Sequence, residues 1–221
     1  MKRVILITTA FVTLALSAIN AQEGAQFSLL VGPNCAWADG NKSYYTSTPE
    51  VGFSLGGSIQ TILQNRFGFE FQMVYSYNQA KYRFHQTEPY YDYSETLSGS
   101  QRITFIDMPI MITYSVAKGF FDKFKIGFVP SWALSAHTSN KYRQEDNYSS
   151  YEDHFSGNND YIFKSSDIAL TAGSELHLSH GLGLDIRYAY GLRNLFDPNG
   201  NGGDFLKIKR SVISVLLKNT F

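Results

Sequence analysis

The stretch GLGLDIRYAYGLRNL, residues 181 to 195, is two sequences interleaved. Leu182, Leu184, Ile186, Tyr188, Tyr190 and Leu192 are large and apolar or aromatic, whereas Gly183, Asp185, Arg187, Ala189, Gly191 and Arg193 are small or charged. A period of two belongs to the β-strand, whose successive side chains leave opposite faces of the sheet. One face therefore suits an apolar medium and the other suits water or ion pairs. Seven more segments of this kind lie at about 26–36, 50–62, 65–78, 102–115, 123–136, 166–178 and 207–221. The pattern is clear in 65–78, where Phe67, Phe69, Phe71, Met73, Tyr75 and Tyr77 oppose Gly68, Glu70, Gln72, Val74, Ser76 and Asn78. It weakens in 102–115, where Phe105 and Met111 fall on the polar face.

The connections alternate as well. Long polar stretches at about 37–49, 79–101, 137–165 and 194–206 follow the odd-numbered segments, and short turns near Leu63–Gln64, Val116–Asp122 and Ser179–Gly181 follow the even ones. Long loops at one end and short turns at the other predict an all-β, eight-stranded antiparallel up-and-down barrel. A soluble barrel would turn the apolar face inward, and an outer-membrane barrel would turn it outward to lipid. Volume decides. The apolar set holds several times the roughly twelve side chains that fill an eight-stranded barrel core. The other set is rich in glycine and carries both signs of charge: Glu70, Asp107, Lys125, Glu175, Asp185, Arg187, Arg210 and Lys218. Such groups can neutralise one another across a narrow lumen, so the sequence predicts a transmembrane barrel with a polar network inside.

Both ends of the sequence fit export. Residues 1–21 combine Lys2 and Arg3, an apolar run and small residues ending at Ala21, the pattern of a secretory signal peptide cut before Gln22. Thr8, Thr9, Thr13 and Ser17 break the run short of the ~20 residues a spanning helix needs, which disfavours an anchor. The barrel domain then covers 22–221. Ile213, Val215, Leu217 and Phe221 share one face at the other end. A terminal aromatic after alternating apolar residues resembles the assembly signal of bacterial outer-membrane barrels, with Asn219 departing from it. Cys35 stands alone, so no internal disulfide forms.

FIDMPIMITY (105–114), IRYAYGLRNLFD (186–197) and a closing strand ending in Phe221 resemble the PorT-type outer-membrane β-barrel proteins of the Bacteroidetes. The resemblance spans essentially the whole mature chain. It implies an outer-membrane barrel surrounded by lipid, with a link to protein secretion for one founding member and no functional residue that carries over.

No motif points to catalysis or to a cofactor. Glu175 and His177, two apart on the inward face, read better as part of an ion-pair network than as an acid–base pair, since no nucleophile stands near them in sequence. His85 lies in one long loop and His137 and His154 in another, without metal-site spacing. The formal net charge is +0, and near −2 once Lys2 and Arg3 are removed, which gives no nucleic-acid footprint. The loops carry HQTEPYYDYSE and KYRQEDNYSSYEDHFSGNND, whose Tyr90, Tyr91, Tyr93, Tyr148 and Tyr151 are candidates for contact with an envelope protein or glycan. The competing reading is an aromatic girdle at the membrane boundary, assigned to Tyr77, Tyr114 and Tyr142. Three functions follow in order: scaffolding, recognition or accessory work in the envelope or in secretion; a small passive porin-like channel; an outer-membrane enzyme.

Overall fold

Alternation becomes hydrogen bonding in ten antiparallel strands: β1 (Gln26–Asp39), β2 (Tyr45–Ile62), β3 (Phe67–Glu88), β4 (Tyr93–Asp107), β5 (Ile110–Ser115), β6 (Lys123–Glu145), β7 (Ser150–Asn158), β8 (Ser166–Ser179), β9 (Leu182–Gly191) and β10 (Lys209–Thr220). The computed structural model describes residues 25–39, 45–63, 66–88, 93–116, 121–145, 150–158, 165–179, 181–194 and 209–221. The proposed signal peptide, Tyr90, Tyr91 and Tyr148 lie outside these residues.

The ten strands make a closed ring of eight staves. Strand β1 bonds both β2 and β10, so the sheet has no free edge there. Strands β4 and β5 are two halves of one stave, pairing with the upper and lower parts of β3 and again of β6. The sequence reads 102–115 as one strand, and the structure divides it at Met108–Pro109. Proline has no amide hydrogen for the ladder. Bonds from Met108 N to Pro130 O, 2.8 Å, and from Gln72 N to Pro109 O, 2.9 Å, carry the wall across the break. The lower half of β6 bonds β8 and its upper half bonds β7, which stands above the ring.

The apolar face points out. Phe67, Phe69, Phe124, Ile126, Phe128, Leu170 and Leu217 are exposed on the outer wall, while Gln60, Glu70, Gln72, Asp185 and Lys218 are buried inside. Burying charge while exposing phenylalanine is unfavourable in water and favourable in lipid. The aromatics gather toward both ends of this belt. Phe67 meets Tyr114 near the short turns, and Trp37 meets Tyr188 and Phe53 meets Tyr77 toward the other rim.

The long polar stretches are the largest difference from the sequence reading. Strand β3 continues to Glu88 and pairs with β4 from Tyr93 onward, and β6 continues to Glu145 and pairs with both β4 and β7. Most of the expected loops 79–101 and 137–165 are therefore walls of an extension above the belt. Strands of 22 and 23 residues far exceed the ~9–11 needed to cross a bilayer. Above the belt the outer face leaves lipid for water and the inner face mixes Ala80, Tyr82, Phe84, Gln101 and Thr138, so the polarity contrast that reveals a strand disappears.

Candidate functional site

Two layers of ion pairs fill the lumen. In the lower one, Lys125 of β6 is fully buried, and its Nζ lies 2.8 Å from Glu70 Oε2, 2.6 Å from Glu175 Oε2 and 2.5 Å from Asp185 Oδ2. Lys218 Nζ of β10 donates to Glu70 Oε1 at 3.0 Å and to Glu175 Oε2 at 2.9 Å. Arg187 Nε pairs with Asp185 Oδ1 at 2.9 Å, and its NH1 donates to Gln72 Oε1 at 2.5 Å. At the turn end, Lys123 Nζ bonds Gln60 Oε1 at 3.1 Å and Glu175 Oε1 at 3.3 Å.

The upper layer centres on Arg210. Its NH2 donates to Asp107 Oδ1 at 3.1 Å and to Ser131 Oγ at 2.8 Å, and its Nε lies 3.3 Å from Asp167 Oδ2. The guanidinium lies over the Phe105 ring, 4.1 Å from its centroid. That contact explains Phe105 on a polar face, since an aromatic face attracts a desolvated cation.

Across the layers the five cations Lys123, Lys125, Arg187, Arg210 and Lys218 face the five carboxylates Glu70, Asp107, Asp167, Glu175 and Asp185. Neutrality is what lets charge stay buried at this density. Glycine makes the room. A Cβ at Gly173 would lie 2.6 Å from Arg187 Cγ and 2.4 Å from Ile186 O. A cavity beside Arg187 and Arg210 measures about 40 Å³, room for a water or two.

The structure thus splits the expected network in two. Glu70, Glu175, Asp185 and Arg187 meet below, and Asp107 and Arg210 meet above. Asp167, Gln60 and Gln72 are partners that the sequence reading missed. Asp167 shares its parity with Glu175 on β8 and was visible by that signal. Gln60 and Gln72 carry no charge to draw attention. The carboxylates of Glu70, Glu175 and Asp185 lie within 4.8 Å of one another, a donor set that would suit a divalent cation. Lys125 Nζ already stands among them and supplies the positive charge.

Two expected roles change. His177 shares the face of Glu175, since Glu175 pairs with Asp185 and His177 with Gly183 in one unbroken register, but at the turn end of β8 it is exposed, outside the buried ion-pair network, and its backbone N–H donates to Asp122 Oδ2. Tyr142 is not part of a girdle. It stands in the extension beside Leu97, and its hydroxyl donates to Glu95 Oε1 at 2.8 Å. Phe221 is exposed, and its N–H reaches Phe27 O at 2.9 Å. Tyr151 on β7 is exposed, and Tyr93 opens β4.

In the same extension Tyr82 donates to Asn140 Oδ1, and burial pushes its phenol up to about 12. Because the folded value lies above the unfolded one near 10, its contribution to stability is fully present below about pH 10 and lost as pH rises toward 12. Difference absorbance at the phenolate band between the native protein and Tyr82→Phe is expected to show one tyrosine titrating near 12. A titration near 10 would place that phenol in water.

A family profile described as outer membrane protein beta-barrel domain matches residues 14–197. The chain belongs to this family. An outer-membrane barrel is what the outward belt and the ion-paired lumen require, and the protein resides in the outer membrane. A comparison with curated protein sequences gave no match. Among solved structures, the chain is similar to the attachment invasion locus protein Ail of Yersinia pestis, at 12% identity, 90% of this chain, 99% of that one and a TM-score of 0.43. Neisserial surface protein A gives 12%, 90%, 100% and 0.43, and OprG of Pseudomonas aeruginosa gives 13%, 90%, 97% and 0.40.

Proposed function

We propose that this outer-membrane barrel neither conducts nor catalyses, and that it serves recognition, as a scaffold or accessory of the envelope or of protein secretion. The observation that carries the reading is the contrast between its two halves: a lumen closed by two layers of ion pairs, and an extension in which β3–β4 and β6–β7 stand beyond the belt. A channel would need an open polar path, and an eight-stranded interior is largely filled by its own side chains. Surfaces above the bilayer are free to carry recognition. Within the family we assign the chain to the PorT-type branch on FIDMPIMITY and IRYAYGLRNLFD. The same reading takes residues 1–21 as a removed signal peptide and Phe221 as part of the assembly signal, and mature protein is expected to begin at Gln22 on N-terminal sequencing.

The partner class is an envelope protein or a glycan, met by tyrosines interleaved with carboxylates: Tyr90, Tyr91, Tyr93, Tyr148 and Tyr151. A photo-cross-linker at Tyr151, at Tyr91 or at Tyr148 in living cells is expected to capture a discrete partner, while the purified barrel in a planar bilayer gives no discrete current steps. Regular ohmic steps, with no captured species at any of the three positions, would reverse the assignment in favour of a passive pore.

A further inference from the structure

Just above the belt, the outer wall of the extension turns basic. Along β3 the outward residues pass from Tyr75 and Tyr77 to Gln79, Lys81 and Arg83 within a few positions. Cross-strand register sets Arg83, Ser98 and Lys141 in one row and Lys81, Ser100 and Ser139 in the next. Together with His154 and Thr48 they line a concavity of about 620 Å³. Its floor is small and hydroxylated, and its sides are cationic. Arg102, in the row with Gln79 and His137, stands nearest the belt.

Charge on this face is not balanced within it. Lys81 pairs with Glu50 at 2.7 Å, Lys141 with Glu152 at 2.7 Å, and Arg143 with Glu145. Arg83 and Arg102 are exposed and make no ion pair among the described residues. The face therefore keeps two guanidinium groups in surplus, the side chain best matched to phosphate oxygens. Height narrows the choice of ligand. Arg102, in the row of Gln79, lies two residues past Tyr77 and Arg83 six, roughly 7 and 20 Å along a tilted strand, so the two span the headgroup layer that begins where the hydrocarbon ends and the sugar layer of a glycolipid above it. The hydroxyls of Ser98, Ser100 and Ser139 add neutral hydrogen-bonding groups suited to sugar.

The geometry points to a binding site on the outer wall for the phosphorylated headgroup of an outer-leaflet glycolipid, with Arg83 and Arg102 taking phosphate and the serine floor taking sugar. The site faces sideways into the membrane surface and is independent of the recognition surface proposed at the top of the extension.

The test uses full-length mature protein and a bisphosphorylated glycolipid, with its dephosphorylated form for comparison, scored by the lipid retained in native mass spectrometry. Wild type is expected to retain the phosphorylated form over the dephosphorylated one, and Arg83→Gln/Arg102→Gln to lose about tenfold or more of that retention. Arg83→Lys/Arg102→Lys is expected to recover part of it. Heat-modifiable gel mobility shows whether each variant is folded, and both positions are exposed on the wall. Equal retention of the two lipids, or wild-type retention by the folded Gln variant, would overturn the site. So would displacement of the lipid by millimolar inorganic phosphate, which would make the ligand a soluble anion, or basic-face capture of an acidic protein without lipid.

Discussion

Replacing Lys125 with Met is expected to destabilise the folded barrel by about 3–5 kcal/mol. The lysine is fully buried, and a single ammonium lies within 2.8 Å of three carboxylates on three different strands: Glu70 on β3, Glu175 on β8 and Asp185 on β9. Methionine fills much of the volume but leaves an excess of negative charge in a closed interior, and the cost of an uncompensated buried charge exceeds that of a lost contact. Among the described residues Lys218 still reaches Glu70 and Glu175, whereas Asp185 keeps only Arg187 as an ion-pair partner. Adding Glu70→Gln to Lys125→Met is therefore expected to recover part of the loss by removing one surplus charge. Urea unfolding of the vesicle-inserted protein, followed by Trp37 and Trp132 fluorescence, measures both effects. An unchanged midpoint for Lys125→Met would mean that the lower layer does not hold the barrel together.

One residue along β6, the expected result has the same sign and a different cause. Ile126 points outward and is 66% exposed on the wall, between Ile112 on β5 and Ala172 on β8. In a bilayer its surroundings are hydrocarbon, so Ile126→Arg is expected to cost about 2–4 kcal/mol. Ile126→Leu exposes no charge and is expected to leave the unfolding midpoint near wild type. In a water-soluble barrel Ile126→Arg would be harmless, because the same position would be solvent-exposed. The same urea series, run on both variants, separates the two environments.

The transmembrane part of this fold is legible in the sequence because lipid outside and ion pairs inside impose opposite demands on alternate residues. Phe124, Ile126 and Phe128 against Lys125 and Gly127 is a reading of faces that needs no structure. Which charges meet is another matter. Lys218 and Glu70 touch across 148 residues of sequence, and that pairing depends on the stagger of the closed ring, which period-two counting does not contain. The break at Met108–Pro109 was visible as a proline, yet its flanks keep the same alternation and so read as one strand. Beyond the belt the signal fails for a physical reason: once the outer face leaves lipid, Lys81, Tyr82 and Arg83 or Tyr142, Arg143 and Gln144 alternate no large apolar set against a polar one. These strands are held by their ladders and by local bonds such as Tyr142 to Glu95. The basic wall is hidden for the same reason, since its rows join Arg83, Ser98 and Lys141 from the stretches 79–101 and 137–165, which read as separate loops, to Arg102 at the edge of a strand segment.

The claim that lipid lies outside and ion pairs lie inside is tested most directly by spin labels at single cysteines from residue 71 to residue 77 of β3, in a Cys35→Ser background and in lipid vesicles. Oxygen accessibility is expected to peak at 71, 73, 75 and 77, where Phe71, Met73, Tyr75 and Tyr77 stand, and to fall at 72, 74 and 76, where Gln72, Val74 and Ser76 are buried. Peaks at 72, 74 and 76, or a profile with no period of two, would contradict it.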